Sequence, residues 1–108
     1  MLAWRVDFLN AAARAEVDVL SAALRARFAR IAELIETHGL ERVGGPYVKH
    51  VEGKLWEMRM KGRDGIARSL YVTAAGRRVI VLRTFVKKTQ KAPRRAIELA
   101  LERAKELK

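Results

Sequence analysis

Arg59, Arg68, Arg83 and the pair Lys87-Lys88 fall within or directly after runs that read as β-strands. Cations fixed on a sheet suit the binding of an anion such as a phosphate. In Leu55-Trp56-Glu57-Met58-Arg59-Met60, strand alternation sets Trp56, Met58 and Met60 on one face and Leu55, Glu57 and Arg59 on the other. A tryptophan with two methionines predicts core under a helix, with Arg59 on the opposite side of the sheet. Arg68 sits in mid-run among Ile66, Leu70 and Val72, a costly place for a charge unless that face is a cleft or the arginine is paired. The same arginines equally suit structural ion pairs with Glu57 or other acids, and residue type alone does not separate the two readings. His50 is the one histidine near this face and the side-chain type best suited to proton transfer near neutrality.

Other chemistries lack their residues. There is no cysteine, which removes disulfides and thiolate nucleophiles and suits a reducing compartment. The acids are scattered and the two histidines are 12 positions apart, so no spacing implies a metal site, and no cofactor is expected. Gly44-Gly45 runs into Pro46 instead of opening a helix, so it reads as a turn and not as a phosphate loop. The helical region carries a core stripe and no helix-turn-helix pattern, which argues against a DNA-reading module.

The charge balance points the same way as the strand cations. The 108 residues hold 23 Lys+Arg against 12 Asp+Glu, a formal net charge of +11. Such a chain favours a polyanion or an acidic partner. From Arg83 to Arg95 there are six basic residues and no acid, a one-signed block typical of a binding face. Arg83, Lys87 and Lys91 of this block, together with Lys54 just before the Leu55–Met60 run, are candidate phosphate contacts. No run approaches the roughly 20 apolar residues of a membrane span, and Arg5 and Asp7 interrupt any leader-like segment. The expectation is a soluble, cytoplasmic chain of one domain, residues 1–108, with no membrane partner.

The elements that must position these residues are legible as well. Trp4–Phe8 alternates as a short strand. Between Ala11 and Thr37, Leu20, Leu24, Phe28, Ile31 and Ile35 recur at helical spacing, with Ser21 as an N-cap separating two helices and His38-Gly39 closing the second. Strands are predicted at Leu55–Met60, Ile66–Thr73 and Val79–Val86, with a further edge strand at Tyr47–Val51. The continuous apolar run Val79-Ile80-Val81-Leu82 predicts a strand covered on both faces. Pro93 opens a last helix. The order β-α-α-β-β-β-α defines an α+β fold, a small antiparallel-rich sheet with a helical pair on one side and a C-terminal helix.

Three segments at these separations carry a resemblance: Lys54-Leu55-Trp56-Glu57-Met58-Arg59, then Ala67-Arg68-Ser69-Leu70-Tyr71, then Val81 through Pro93 with Phe85-Val86-Lys87-Lys88-Thr89-Gln90-Lys91. Together they resemble the phage-derived HigB-like branch of the RelE/ParE toxin superfamily, and the resemblance covers essentially the whole chain. It implies the RelE-like fold and the toxin of a type II toxin–antitoxin system, an endoribonuclease that enters the ribosomal A site and cuts messenger RNA. The implied reaction is metal-independent attack of a ribose 2′-OH on the adjacent phosphate. The implied partners are the ribosome, its messenger and a cognate HigA-like helix-turn-helix antitoxin, with DNA reached only through the antitoxin. The resemblance also extends to ParE-like toxins, which bind gyrase and do no chemistry, and to degenerate members that bind RNA or an antitoxin only.

By position, the resemblance assigns Arg59 to the nucleophile, Arg68 to the transition-state phosphate and Lys88 to the phosphate and leaving group, with Lys87 as its neighbour. Three departures follow. Glu57 stands where some relatives carry lysine, which lowers the positive charge and supplies a proton acceptor. Ala67 replaces a tyrosine, and no tyrosine or histidine follows Tyr71, so a C-terminal general acid is not carried over. Arginine is a poor base, which leaves His50 as the remaining histidine for that role.

Overall fold

In the computed structural model, residues 3–63, 65–87 and 93–107 are described. The chain runs β1 (Arg5–Phe8), α1 (Ala11–Asp18), α2 (Ala22–His38), a 3-10 turn (Leu40–Arg42), β2 (Val48–Glu52), β3 (Leu55–Gly62), β4 (Gly65–Ala74), β5 (Arg78–Lys87) and α3 (Arg94–Ala104). The strands form one sheet in the order β1-β5-β4-β3-β2, with β1 parallel to β5 and the other neighbours antiparallel. The fold is α+β as the residue pattern predicts, and the Tyr47–Val51 edge strand is present as β2.

Local chemistry sets the helix boundaries. Asn10 caps α1 by accepting from the Ala13 N–H at 2.9 Å, and Ser21 caps α2 by accepting from Leu24 N–H at 3.3 Å. Gly39 ends α2 at φ +90°, a conformation that side chains with a Cβ resist. The stripe Leu20, Leu24, Phe28, Ile31 and Ile35 is buried against one face of the sheet, over Met58, Met60, Ala67, Tyr71, Val79 and Val81. The other face carries a second core, in which Ala96, Ile97 and Ala100 of α3 cover Leu55, Leu70, Val72, Ile80, Leu82 and Phe85. Val79 and Val81 thus enter one core and Ile80 and Leu82 the other, which is the two-sided cover predicted for that run.

Trp56 departs from expectation. Met58 and Met60 are fully buried under α2, but Trp56 is 39 % exposed. It lies toward the edge of the sheet opposite His50 of β2, at a cleft formed with Trp4, Val43 and Tyr71 instead of beneath the α2 stripe.

Two further features shape the site. β1 pairs only with the first part of β5, up to Val81. Beyond that point α1 lies beside β5, and the Glu16 carboxylate accepts the Thr84 N–H at 3.1 Å, so the free sheet edge is satisfied by a side chain. At the other side, β2 begins at Val48 opposite Met58, so the last residues of β3 extend past it. There the hairpin end slides under α2: a Cβ on Gly62 would come within 3.2 Å of Leu24 Cδ2.

Candidate phosphate-binding site

The register brings Arg59 directly opposite Arg68 across β3 and β4. Two like charges on facing positions repel, and the fold answers with Glu57. Its Oε2 lies 2.9 Å from Arg68 Nε and 3.5 Å from Arg59 Nε, so one carboxylate oxygen serves both guanidiniums. Glu57 and Arg68 are buried, at 7 % and 4 % exposure, while the Arg59 side chain remains 38 % exposed. Lys49 of β2 is directly opposite Glu57, and Lys87 of β5 is opposite Ile66, diagonal to Arg68. Four cations from four strands therefore surround one carboxylate.

Strand periodicity explains why they share a face. Leu55 belongs to the α3 core, and Glu57 and Arg59 follow it at two-residue steps; Arg68 and Leu70, and Phe85 and Lys87, are in phase with them. The helix α3 covers the Leu55–Leu70–Ile80 part of this face, and the charged residues occupy the remaining part. Beneath them, on the α2 side, Ser69 Oγ and Thr84 Oγ1 share a buried hydrogen bond of 2.7 Å that pins β4 to β5.

Withdrawal of these cations from water shows in their titration. Burial pushes the Arg68 guanidinium below its ordinary value, with Arg59 adding to the effect and Glu57 opposing it. Lys87 is likewise lowered, first by desolvation and then by Arg68, with Arg59 and Lys49 contributing and Glu57 opposing. An arginine in such a place still keeps its proton at neutral pH. The site is a reservoir of under-neutralised positive charge, and an anion such as a phosphate would relieve it.

An open cleft of about 680 Å³ adjoins the pair, lined by Arg59, Arg68, Lys61 and Ile66, by Pro46 and Tyr47, and by Arg27, Arg30 and Ile31 of α2. It occupies the edge that β3 exposes beyond the start of β2.

Of the residues singled out in the sequence, Arg59, Arg68 and Lys87 come together. Arg83 does not join them. It pairs with Glu16 of α1 at 2.6 Å, in a network where Glu16 also meets Arg103 of α3 at 2.9 Å. His50 is on the opposite side of the sheet: its ring packs edge-on to Trp56 at 5.1 Å and its Nε2 contacts the Gly53 carbonyl at 2.7 Å. The idea that it stands near the arginines fails because it shares the phase of Trp56, not that of Glu57. Lys54 occupies the Gly53-Lys54 turn at the far end of β3, about 16 Å along the strand from Arg59 at the usual rise per residue. Lys88 and Lys91 lie outside the described residues. Lys49, Lys61, Arg27 and Arg30 were not foreseen. A regular hairpin centred on Gly53-Lys54 would set Lys49 opposite Met58; the irregularity between His50 and Glu52 shifts it opposite Glu57, so neither Lys49 nor the α2 arginines followed from local pattern.

The sequence profile of the family described as "Phage derived protein Gp49-like (DUF891)" matches residues 15–105. The chain belongs to the Gp49-like family. The matched region of this Gp49-like chain runs from within α1 to the end of its last turn and includes every strand that contributes to the cationic site. That description names a phage origin and no activity. No curated protein matches the chain. Among the described residues, no helix is long and apolar enough to cross a membrane.

Proposed function

We propose that this Gp49-like protein is a toxin of the RelE/HigB type, a ribosome-dependent endoribonuclease that cuts messenger RNA in the A site. The observation that carries the reading is the clustering of Lys49, Arg59, Arg68 and Lys87 around the single carboxylate of Glu57, beside an open cleft. Attack of a ribose 2′-OH on the adjacent 3′-phosphate forms a 2′,3′-cyclic phosphate as the bond to the next nucleotide's 5′-oxygen breaks and that oxygen takes a proton from water. Fixed cations stabilise the negative charge that builds on the non-bridging oxygens without having to reorganise. Arg59, the exposed member of the pair, contacts the phosphate. Arg68 sets the field from beneath and holds Glu57, which in turn orients Arg59. Glu57 does not line the cleft, so its part is to hold the two arginines, and the 2′-OH proton passes to water. The nuclease activity rests on the resemblance to RelE/HigB toxins carried by the strand motifs around Trp56, Arg68 and Lys87, and so do the partners: the ribosome, its messenger and a helix-turn-helix antitoxin, met in the cytoplasm.

A second reading has its own observation. Arg68 is 4 % exposed and already paired, which suits a catalytically silent member that binds RNA or an antitoxin.

Induced expression without antitoxin, followed by mapping of messenger ends, separates the readings. The expected result is growth arrest with cuts at ribosome-occupied codons, lost in Arg59→Ala. Arrest with intact messenger and broken DNA would move the protein to the gyrase-binding class, and absence of arrest would favour the silent reading.

A further inference from the structure

The cleft beside Arg59 does not stop at the edge of the sheet. A second cleft of about 510 Å³ continues between α2 and the Gly44–Tyr47 turn, passing Arg30 to reach His38 and Arg42. Arg30 and Tyr47 line both, so the two form one groove. Among the described residues, no aspartate or glutamate lines either part. That is a selective arrangement in a chain with 12 acids.

The cations of this groove are available. Arg27 and Arg42 are exposed, and neither forms an ion pair among the described residues. Arg30 meets Glu33 at 3.3 Å, but both side chains are exposed and such a pair contributes little. Arg27 and Arg30 are one helical turn apart and project to the same side of α2.

Tyr47 stands where the clefts join. It is 41 % exposed, yet its main chain is held at both ends: its N–H donates to the Gly44 carbonyl at 2.9 Å and its carbonyl accepts from Arg59 N–H at 2.8 Å. An aromatic ring is thus tethered one hydrogen bond away from the arginine at the proposed scissile phosphate.

Spaced cations with a fixed, exposed ring match single-stranded nucleic acid: the cations follow the phosphates and the ring stacks on a base. A duplex keeps its bases stacked on one another and offers the ring no partner. We infer that this groove binds the single-stranded RNA flanking the cut, with Arg27, Arg30 and Arg42 on phosphates and Tyr47 stacked on a base. The choice of RNA rests on the proposed function; the track itself rests on the groove.

The test is equilibrium binding of the full chain to a fluorescent 2′-O-methyl RNA of about 12 nucleotides, at about 100 mM salt and without ribosomes. Such an oligonucleotide lacks the nucleophile, so binding is read apart from cutting. The triple variant Arg27→Gln/Arg30→Gln/Arg42→Gln should bind about tenfold or more weakly and reduce the salt slope by about two. Tyr47→Ala should lose about tenfold and Tyr47→Phe should retain native affinity. Lys105→Gln, on an exposed residue just past α3, should bind as the native chain does. Native binding by the triple variant, an equal loss per charge in Lys105→Gln, or tighter binding of duplex DNA would each overturn the inference. Cutting on ribosomes without binding of the oligonucleotide would remove the groove and leave the nuclease; binding without cutting would do the reverse.

Discussion

Arg68 Nε lies 2.9 Å from Glu57 Oε2, and both side chains are almost wholly withdrawn from water. Removing one member strands the other, so Arg68→Ala should lower stability by about 3 kcal/mol, read by urea unfolding. The double variant Glu57→Met/Arg68→Met removes both charges and should recover most of that loss. If Arg68→Ala unfolds at the native urea concentration, the pair is not a buried contact in solution. Toxicity of Arg68→Ala alone is therefore a poor gauge of its chemical role, and Arg68→Lys, which keeps the charge, is the better probe.

Arg59 separates activity from stability more cleanly. Its side chain is 38 % exposed and its distance to Glu57 is 3.5 Å, so Arg59→Ala should change stability by less than about 1 kcal/mol. On the proposed mechanism it should lower messenger cleavage by about 10²- to 10³-fold. Reconstituted ribosomes with a defined messenger would measure this, and unchanged cleavage by a folded Arg59→Ala would place the reaction elsewhere.

Lys87 should make stability depend on pH and salt. Its folded-state affinity for a proton is lowered by desolvation and by Arg68, so between its lowered value and the ordinary lysine value the unfolded chain binds more protons. Stability from this group therefore rises as pH climbs through that window, and at neutral pH the charged lysine opposes folding. Lys87→Met should raise the thermal midpoint at pH 7. Added salt should raise the native midpoint more than that of the variant. A lower midpoint for Lys87→Met would show that the lysine is a stabilising contact instead.

Tyr71 works in the opposite direction at high pH. Burial pushes its phenol up from 10 to about 12, so above pH 10 the unfolded chain loses this proton before the folded one does. Stability should fall progressively between pH 10 and 12. In Tyr47→Phe, where Tyr71 is the sole tyrosine, phenolate absorbance should appear near pH 12 when folded and near pH 10 in urea.

Glu16 should matter to folding more than any other acid away from the site. It binds Arg83, Arg103 and the Thr84 N–H, thereby joining α1, β5 and α3. Glu16→Gln should cost about 2 kcal/mol, and its effect should be non-additive with that of Arg83→Gln in a double-mutant cycle. Additive losses would mean that Arg83 acts independently of Glu16.

What the sequence determined by itself was everything that depends on near neighbours. Helical spacing defined the Leu20–Ile35 stripe, Ser21 and Gly39 marked its ends, and alternation placed Arg59 on the face opposite Met58 and Met60. These are properties of a few consecutive residues, and they survive any tertiary arrangement. Tertiary structure alone decided which charges meet. Arg83 reads as one more strand cation until α1 lies beside β5 and brings Glu16 to it. His50 reads as a neighbour of the arginines until the register with Trp56 turns it to the other face. Arg27 and Arg30 read as helix surface until the end of β3 slides beneath α2. Each outcome depends on strand register and on where a helix stops over the sheet, and contacts distant in sequence set both. So the strand cations and Glu57 as a partner for them were visible in the chain, while which of them gather around it was not.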